Sequence, residues 1–143
     1  MPKYSVPYAQ FQLPPTPAFP NGRVARRPVL PIKLVNGTSE LNCYAMVDSG
    51  ADFCAFPLSF ARILGLDPLT GVLDRTAGLG SDNVPTYFWN VGIDIQGTTQ
   101  IEVYAGFTDG LEQWGIGLLG QTGFFDRFAV SFNLNRGIFE FEI

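Results

Sequence analysis

The sequence predicts an all-β domain, mostly antiparallel, with one or two short helices. Three observations point there. Apolar residues make up 46% of the chain and charged residues only 15%, a balance suited to short buried strands. Sixteen Gly and eleven Pro supply many turns and interrupt any long helix. The Asn-Gly pair in "NGTS" joins two apolar stretches in the manner of a hairpin, and the second stretch alternates with a period of two. At 143 residues the chain fits one domain large enough to bury a core.

The elements follow in order. Residues 1–27 include "LPPTPAFPNG", whose prolines oppose helix and central strand; this stretch reads as an extended basic arm or linker, with the folded domain over 28–143. "VLPIKLV" and "ELNCYAMV" read as the first strands of the domain, with Leu41, Cys43, Ala45 and Val47 on one face. "PLSFARILG" is a short helix, opened near Pro57 and stopped at Gly65. "VLDRTAGLGSDNVPTYFWNVGIDI" reads as a long hairpin with its tip at 78–83, and "TTQIEVYAGF" pairs back through Gln96-Gly97. After "TDGLEQW" come the apolar strand "IGLL", a helix over "QTGFFDRF", and the strands "AVSFNL" and "IFEFEI" around the turn "NRG".

Composition narrows the chemistry. The chain has no His and only two Cys, Cys43 and Cys54. The usual His/Cys zinc sites and nucleophiles activated by His are therefore not expected. Both Cys lie in apolar surroundings and read as reduced core thiols. No cofactor or metal is expected, and any chemistry must run on carboxylates. The sequence contains neither an unbroken apolar run of membrane-spanning length nor the apolar core of a signal peptide, so the expected location is the cytoplasm. Residues 1–39 carry five basic side chains and no acid, whereas the rest carries four Arg and all 13 acids. Five charges spread over a Pro-rich arm make a weak phosphate-binding pattern, so nucleic acid is not an expected partner.

Two short stretches need an explanation. "GIGLLG", 115–120, fits the dinucleotide spacing G-x-G-x-x-G. That pattern carries meaning only between a strand and a helix inside a βαβ unit. The residues after it cannot supply the remaining βα units of a doubly wound sheet. The other stretch is "AMVDSGAD", 45–52, where an apolar strand runs straight into an acid. A carboxylate at the end of a buried strand is costly unless something holds it. Asp-Ser-Gly is also good turn chemistry, and alone it reads as a capped turn. Here it is followed, in order, by a glycine-tipped hairpin, by apolar-apolar-Gly and by a short helical stretch.

This arrangement resembles the retropepsin-like aspartic proteases, from about Val29 to Ile143. "VDSGAD" matches the catalytic loop, "AGLGSDN" the flap tip, and "GLLGQTGFFDRF" the strand and helix that follow. The resemblance implies a retropepsin-like acid protease fold: a closed, mostly antiparallel β domain with a flap hairpin. It also implies an aspartic endopeptidase that acts on polypeptide substrates as a homodimer. Asp48 would be the catalytic aspartate, Ser49 the hydroxyl bracing the two loops across the dimer, and Gly50 part of the same triplet. Gly50 and Ala51 would line the cleft floor, and Asp52 would meet substrate backbone or an internal Arg. Gly78, Leu79 and Gly80 would close over the substrate, and Ala55, Leu118 and Leu119 would line side-chain pockets. Gly120 would pack beside the catalytic loop, leaving Gly115 and Gly117 incidental. Many retroviral members have Arg where this chain has Gln121, so a partner for Asp52 must come from elsewhere, such as Arg127 or the basic arm, or be absent. The alternative reading is a non-catalytic peptide- or protein-binding module with the same fold.

Overall fold

The computed structural model describes residues 3–76, 84–95 and 99–142. Within them the chain forms twelve strands, one α-helix and three 3₁₀ turns. It divides into two compact units, Leu30–Arg127 and the two ends taken together, Met1–Val29 with Phe128–Ile143.

In the unit made from the ends, β1 (Lys3–Pro7) pairs antiparallel with β12 (Ile138–Glu142), which pairs on its other side with β11 (Ala129–Asn133). A separate ribbon joins β2 (Ala9–Leu13) to β3 (Arg23–Arg27). Every strand before residue 28 is thus an edge strand, the position that tolerates proline neighbours. Phe139 and Phe141 alternate with acids along β12 and are buried. Phe141 meets the rings of Tyr4 at 5.2 Å and Phe128 at 5.5 Å.

The unit Leu30–Arg127 is a seven-stranded sheet that closes on itself. Its strands are β4 (Val29–Asn36), β5 (Ser39–Val47), β6 (Ala55–Pro57), β7 (Val72–Thr76), β8 (Val84–Ile95), β9 (Thr99–Thr108) and β10 (Gly117–Leu119). Their order is β4-β5-β10-β6-β9-β8-β7, and β4 also pairs with β8. That extra pairing, Ile32↔Ile95 to Val35↔Gly92, closes the sheet and leaves β7 outside with a single neighbour. Alternation places Ile32, Leu34, Val91, Ile93, Ile95, Val103, Ala105 and Phe107 inside. The Asn36–Gly37 turn and the pairing of β8 with β9 follow the sequence reading; residues 77–83 and 96–98, which hold both expected hairpin tips, lie outside the described residues.

The helix α1 (Leu58–Ile63) starts after Pro57 and ends before Gly65, whose φ is 66°. Pro57 offers no capping side chain. Instead the Glu112 carboxylate accepts from the Ser59 amide at 2.6 Å and from its hydroxyl at 3.0 Å. The helix expected over 121–128 is a run of turns instead. Amides of Phe124 and Phe125 both bond to the Gly120 carbonyl, Asp126 to Gln121 and Arg127 to Phe124, so no constant four-residue spacing develops. Gly123 interrupts it with φ 110°, outside the helical region, while its amide donates to Asp126 Oδ1 at 3.0 Å.

Candidate active site

β5 delivers Asp48. Ala45 and Val47 point into the core, so the chain emerges from an apolar strand with its next residue half-exposed and the following Ser49 and Gly50 exposed. The loop is held from below by β10, which pairs parallel with β5 from Gly117↔Ala45 to Leu119↔Val47. The ladder continues past the strand: the Asp48 amide donates to the Leu119 carbonyl at 3.0 Å. The loop then tightens on itself, with Ala51 N–H to the Asp48 carbonyl at 3.1 Å and Gly50 N–H to Asp48 Oδ1 at 2.9 Å. Beyond β10 the amides of Gln121 and Thr122 donate to the carbonyls of Ala51 and Asp52 at 2.8 and 3.0 Å.

Gly120 sits where these two segments touch. A Cβ there would lie 2.4 Å from the Phe53 carbonyl oxygen and 2.6 Å from that of Ala51. Both are backbone atoms that cannot swing aside, so the expected packing of Gly120 beside the loop holds. Gly117, expected to be incidental, is not: a Cβ there would fall 2.3 Å from the Phe56 ring. The large Phe56 side chain in the neighbouring β6 takes the space. Cys54, just past the loop, is buried with its thiol 3.6 Å from the Thr122 carbonyl. Burial, the largest influence, pushes this thiol up to about 11, and pushes that of Cys43 up to about 12. Both are free, and neither is poised for nucleophilic work.

A solved structure of a retropepsin-like aspartic protease from Rickettsia conorii superposes on the chain with a TM-score of 0.53 and 16% identity, covering 99% of this chain and 95% of that one. The chain has the retropepsin-like fold. The protease of EIAV bound to an inhibitor is also similar, at a TM-score of 0.47 and 21% identity over 66% of this chain and 82% of that one. No protein-family profile matches the chain, and no curated protein does.

Within this retropepsin-like fold, Asp48, Ser49, Gly50, Ala51 and Asp52 form one continuous loop. Leu118 is half-buried and stands opposite Ala55 in the β10–β6 pairing, while Ala55 and Leu119 are buried. Gly78, Leu79 and Gly80 lie outside the described residues. Asp52 is exposed and forms no ion pair among the described residues; the Arg127 guanidinium donates to the Glu102 carbonyl at 2.6 Å. Gln121, read from the sequence as the place of a missing Arg, makes a contact of its own that the sequence reading did not foresee. Its side-chain amide donates to the Ser49 carbonyl at 2.9 Å. The one sequence signal for it was its place directly after Gly120. Two cavities, of about 480 Å³ beside Asp67, Trp89 and Tyr104 and about 330 Å³ beside Cys43 and Phe60, do not include residues 48–52. No described helix is long and apolar enough to cross a membrane.

Proposed function

We propose that the chain is an aspartic endopeptidase in which a homodimer brings two Asp48 carboxylates together. The observation that carries this reading is the Asp48-Ser49-Gly50 loop. It leaves an apolar strand of a retropepsin-like fold, its main chain fastened to β10 and its carboxylate accepting an amide hydrogen bond. Each chain supplies one Asp-Ser-Gly triplet, since "TDG" at 108–110 has the order reversed and "SDN" at 81–83 lacks the glycine. One carboxylate cannot serve as base and acid in the same step, so a second copy supplies the other.

Two carboxylates in close contact cannot both ionise, so the pair shares one proton. The ionised member takes a proton from a water, and that water attacks the scissile carbonyl carbon. The protonated member supports the developing oxyanion, and a proton then passes to the departing nitrogen. Ser49 braces the paired loops, Gly50 and Ala51 form the cleft floor, and Asp52 meets substrate backbone. Gly78, Leu79 and Gly80 act as the flap. Leu118 offers the accessible apolar wall, with Ala55 and Leu119 packed around it.

The test is a peptide-library digest with and without pepstatin, followed by subunit mixing. Cleavage blocked by pepstatin is expected, with activity per chain falling on dilution as dimers separate. Excess Asp48→Asn chains should poison wild type, because each mixed dimer keeps one ionisable partner. Activity that tracks the wild-type fraction linearly after full exchange sinks the shared site. Peptide capture without any cleavage points to a binding module.

A further inference from the structure

Resting on that reading of the loop, we infer that Gln121 is a positioning residue that aims the Asp48 carboxylate through a single peptide plane. Its Nε2 donates to the Ser49 carbonyl oxygen at 2.9 Å. The same peptide unit carries the Gly50 N–H, which donates to Asp48 Oδ1 at 2.9 Å. The peptide is planar and trans, so its C=O and N–H point in opposite directions and turn together. Fixing the carbonyl therefore fixes the direction of the amide that holds the carboxylate.

Among the described residues nothing else on the loop performs this task. Bonds to the amides of Asp48 and Ala51 and to the carbonyls of Asp48, Ala51 and Asp52 fix the peptides on either side. Among the described residues the Ser49 carbonyl has the Gln121 side chain as its partner. Gly50 follows, a residue whose backbone rotates with little steric resistance, so an untethered Ser49–Gly50 peptide is free to flip. Gln121 is itself well anchored, because its own amide donates to the Ala51 carbonyl at 2.8 Å and its neighbour Gly120 is wedged against Phe53. The two bonds in series also polarise the shared peptide, so each strengthens the other. Where an Arg at this place would bring charge, Gln121 uses a neutral donor, and the link is expected to be indifferent to salt.

The experiment compares Gln121→Glu, Gln121→Leu and Gln121→Arg in the full chain. Glu matches Gln in shape but its carboxylate cannot donate; Arg keeps a donor. Two readouts are taken: hydrogen exchange of the Gly50 amide, and steady-state kinetics on a cleaved library peptide. With Glu and Leu, Gly50 exchange is expected to rise about ten-fold and kcat to fall about ten-fold, with KM within two-fold of wild type. Arg should recover most of both losses, and the melting temperature should stay level across the set because the side chain is exposed. Unchanged Gly50 exchange in the Glu and Leu variants overturns the inference whatever the activity. So does a loss that Arg fails to recover, or one that follows melting temperature. If Gly50 exchange responds as expected but wild type cleaves nothing in an Asp48-dependent way, the positioning stands and the proteolytic reading falls.

Discussion

β10 and β7 belong to the same sheet, one within its closed part and one outside it, and they are held in opposite ways. β10 is three residues long and lies between β5 and β6, with Leu119 fully buried. β7 is five residues long, pairs among the described residues with β8 alone, and leaves Val72 55% and Leu73 51% exposed. Length is therefore no guide to burial here; the number of neighbours is. The loop that carries Asp48 leaves β5 and is bonded to the strand with two partners, whereas β7 is the arm of the long hairpin with one. Local opening is expected to be costly at the first and easy at the second.

Four experiments break or sharpen that contrast. The largest effect is expected at Asp48. Asp48→Asn keeps the shape of the loop and removes the carboxylate, so kcat should fall by about a thousand-fold or more with little change in melting temperature. Steady-state assay beside calorimetry checks it, and a residual rate within ten-fold of wild type would refute the assignment. Next comes Gly120→Ala. The added methyl must displace the backbone of Ala51 and Phe53, at an expected cost of about 3 kcal/mol, read as a shift in urea midpoint. A cost below about 1 kcal/mol would mean that the junction is softer than its geometry implies.

A third effect comes from alkali. Cys54 is buried in the same junction with its thiol raised to about 11. The folded state holds this proton more tightly than the unfolded chain does. Stability from the thiol is thus fully present below about pH 9 and is lost as the pH rises through about 11, at about 1.4 kcal/mol per pH unit for a single group. Cys43, raised to about 12, adds a slope of its own over the same range, so urea unfolding at stepped pH should show about twice the single-group slope, and Cys54→Ala should roughly halve it. An equal slope in the variant would assign the effect elsewhere. The smallest effect belongs to the edge: Leu73→Thr on β7 should move stability by less than about 0.5 kcal/mol. A loss as large as that of Gly120→Ala would erase the contrast between the two strands.

Much of this was legible in the sequence for local reasons. The Asn36–Gly37 turn, the alternation along β5 and the apolar strand ending at Asp48 are short-range patterns that backbone geometry enforces. The closed sheet was also within reach, because the strands are short, apolar and joined by turn residues. What was not legible depends on contacts between distant residues. Gly117 looks dispensable until Phe56 is placed beside it. The place of 121–128 after the apolar strand suggests a helix, and the backbone at Gly123 shows why one does not form. Gln121 reads as the loss of an Arg; its bond to Ser49 needs the loop folded back against it.

One pairing sets a clock on the molecule. Ser5 of β1 bonds at 2.7 Å to Glu140 of β12, 135 residues further along the chain. The ladder β8–β9, by contrast, joins strands that are adjacent in the sequence. At ribosomal speed β1 emerges on the order of ten seconds before the strand it needs. During that interval its backbone must stay single, and its proline neighbours are suited to keeping it so. β12 is made after both of its neighbours, β1 and β11, so this sheet can be completed only once β12 has emerged.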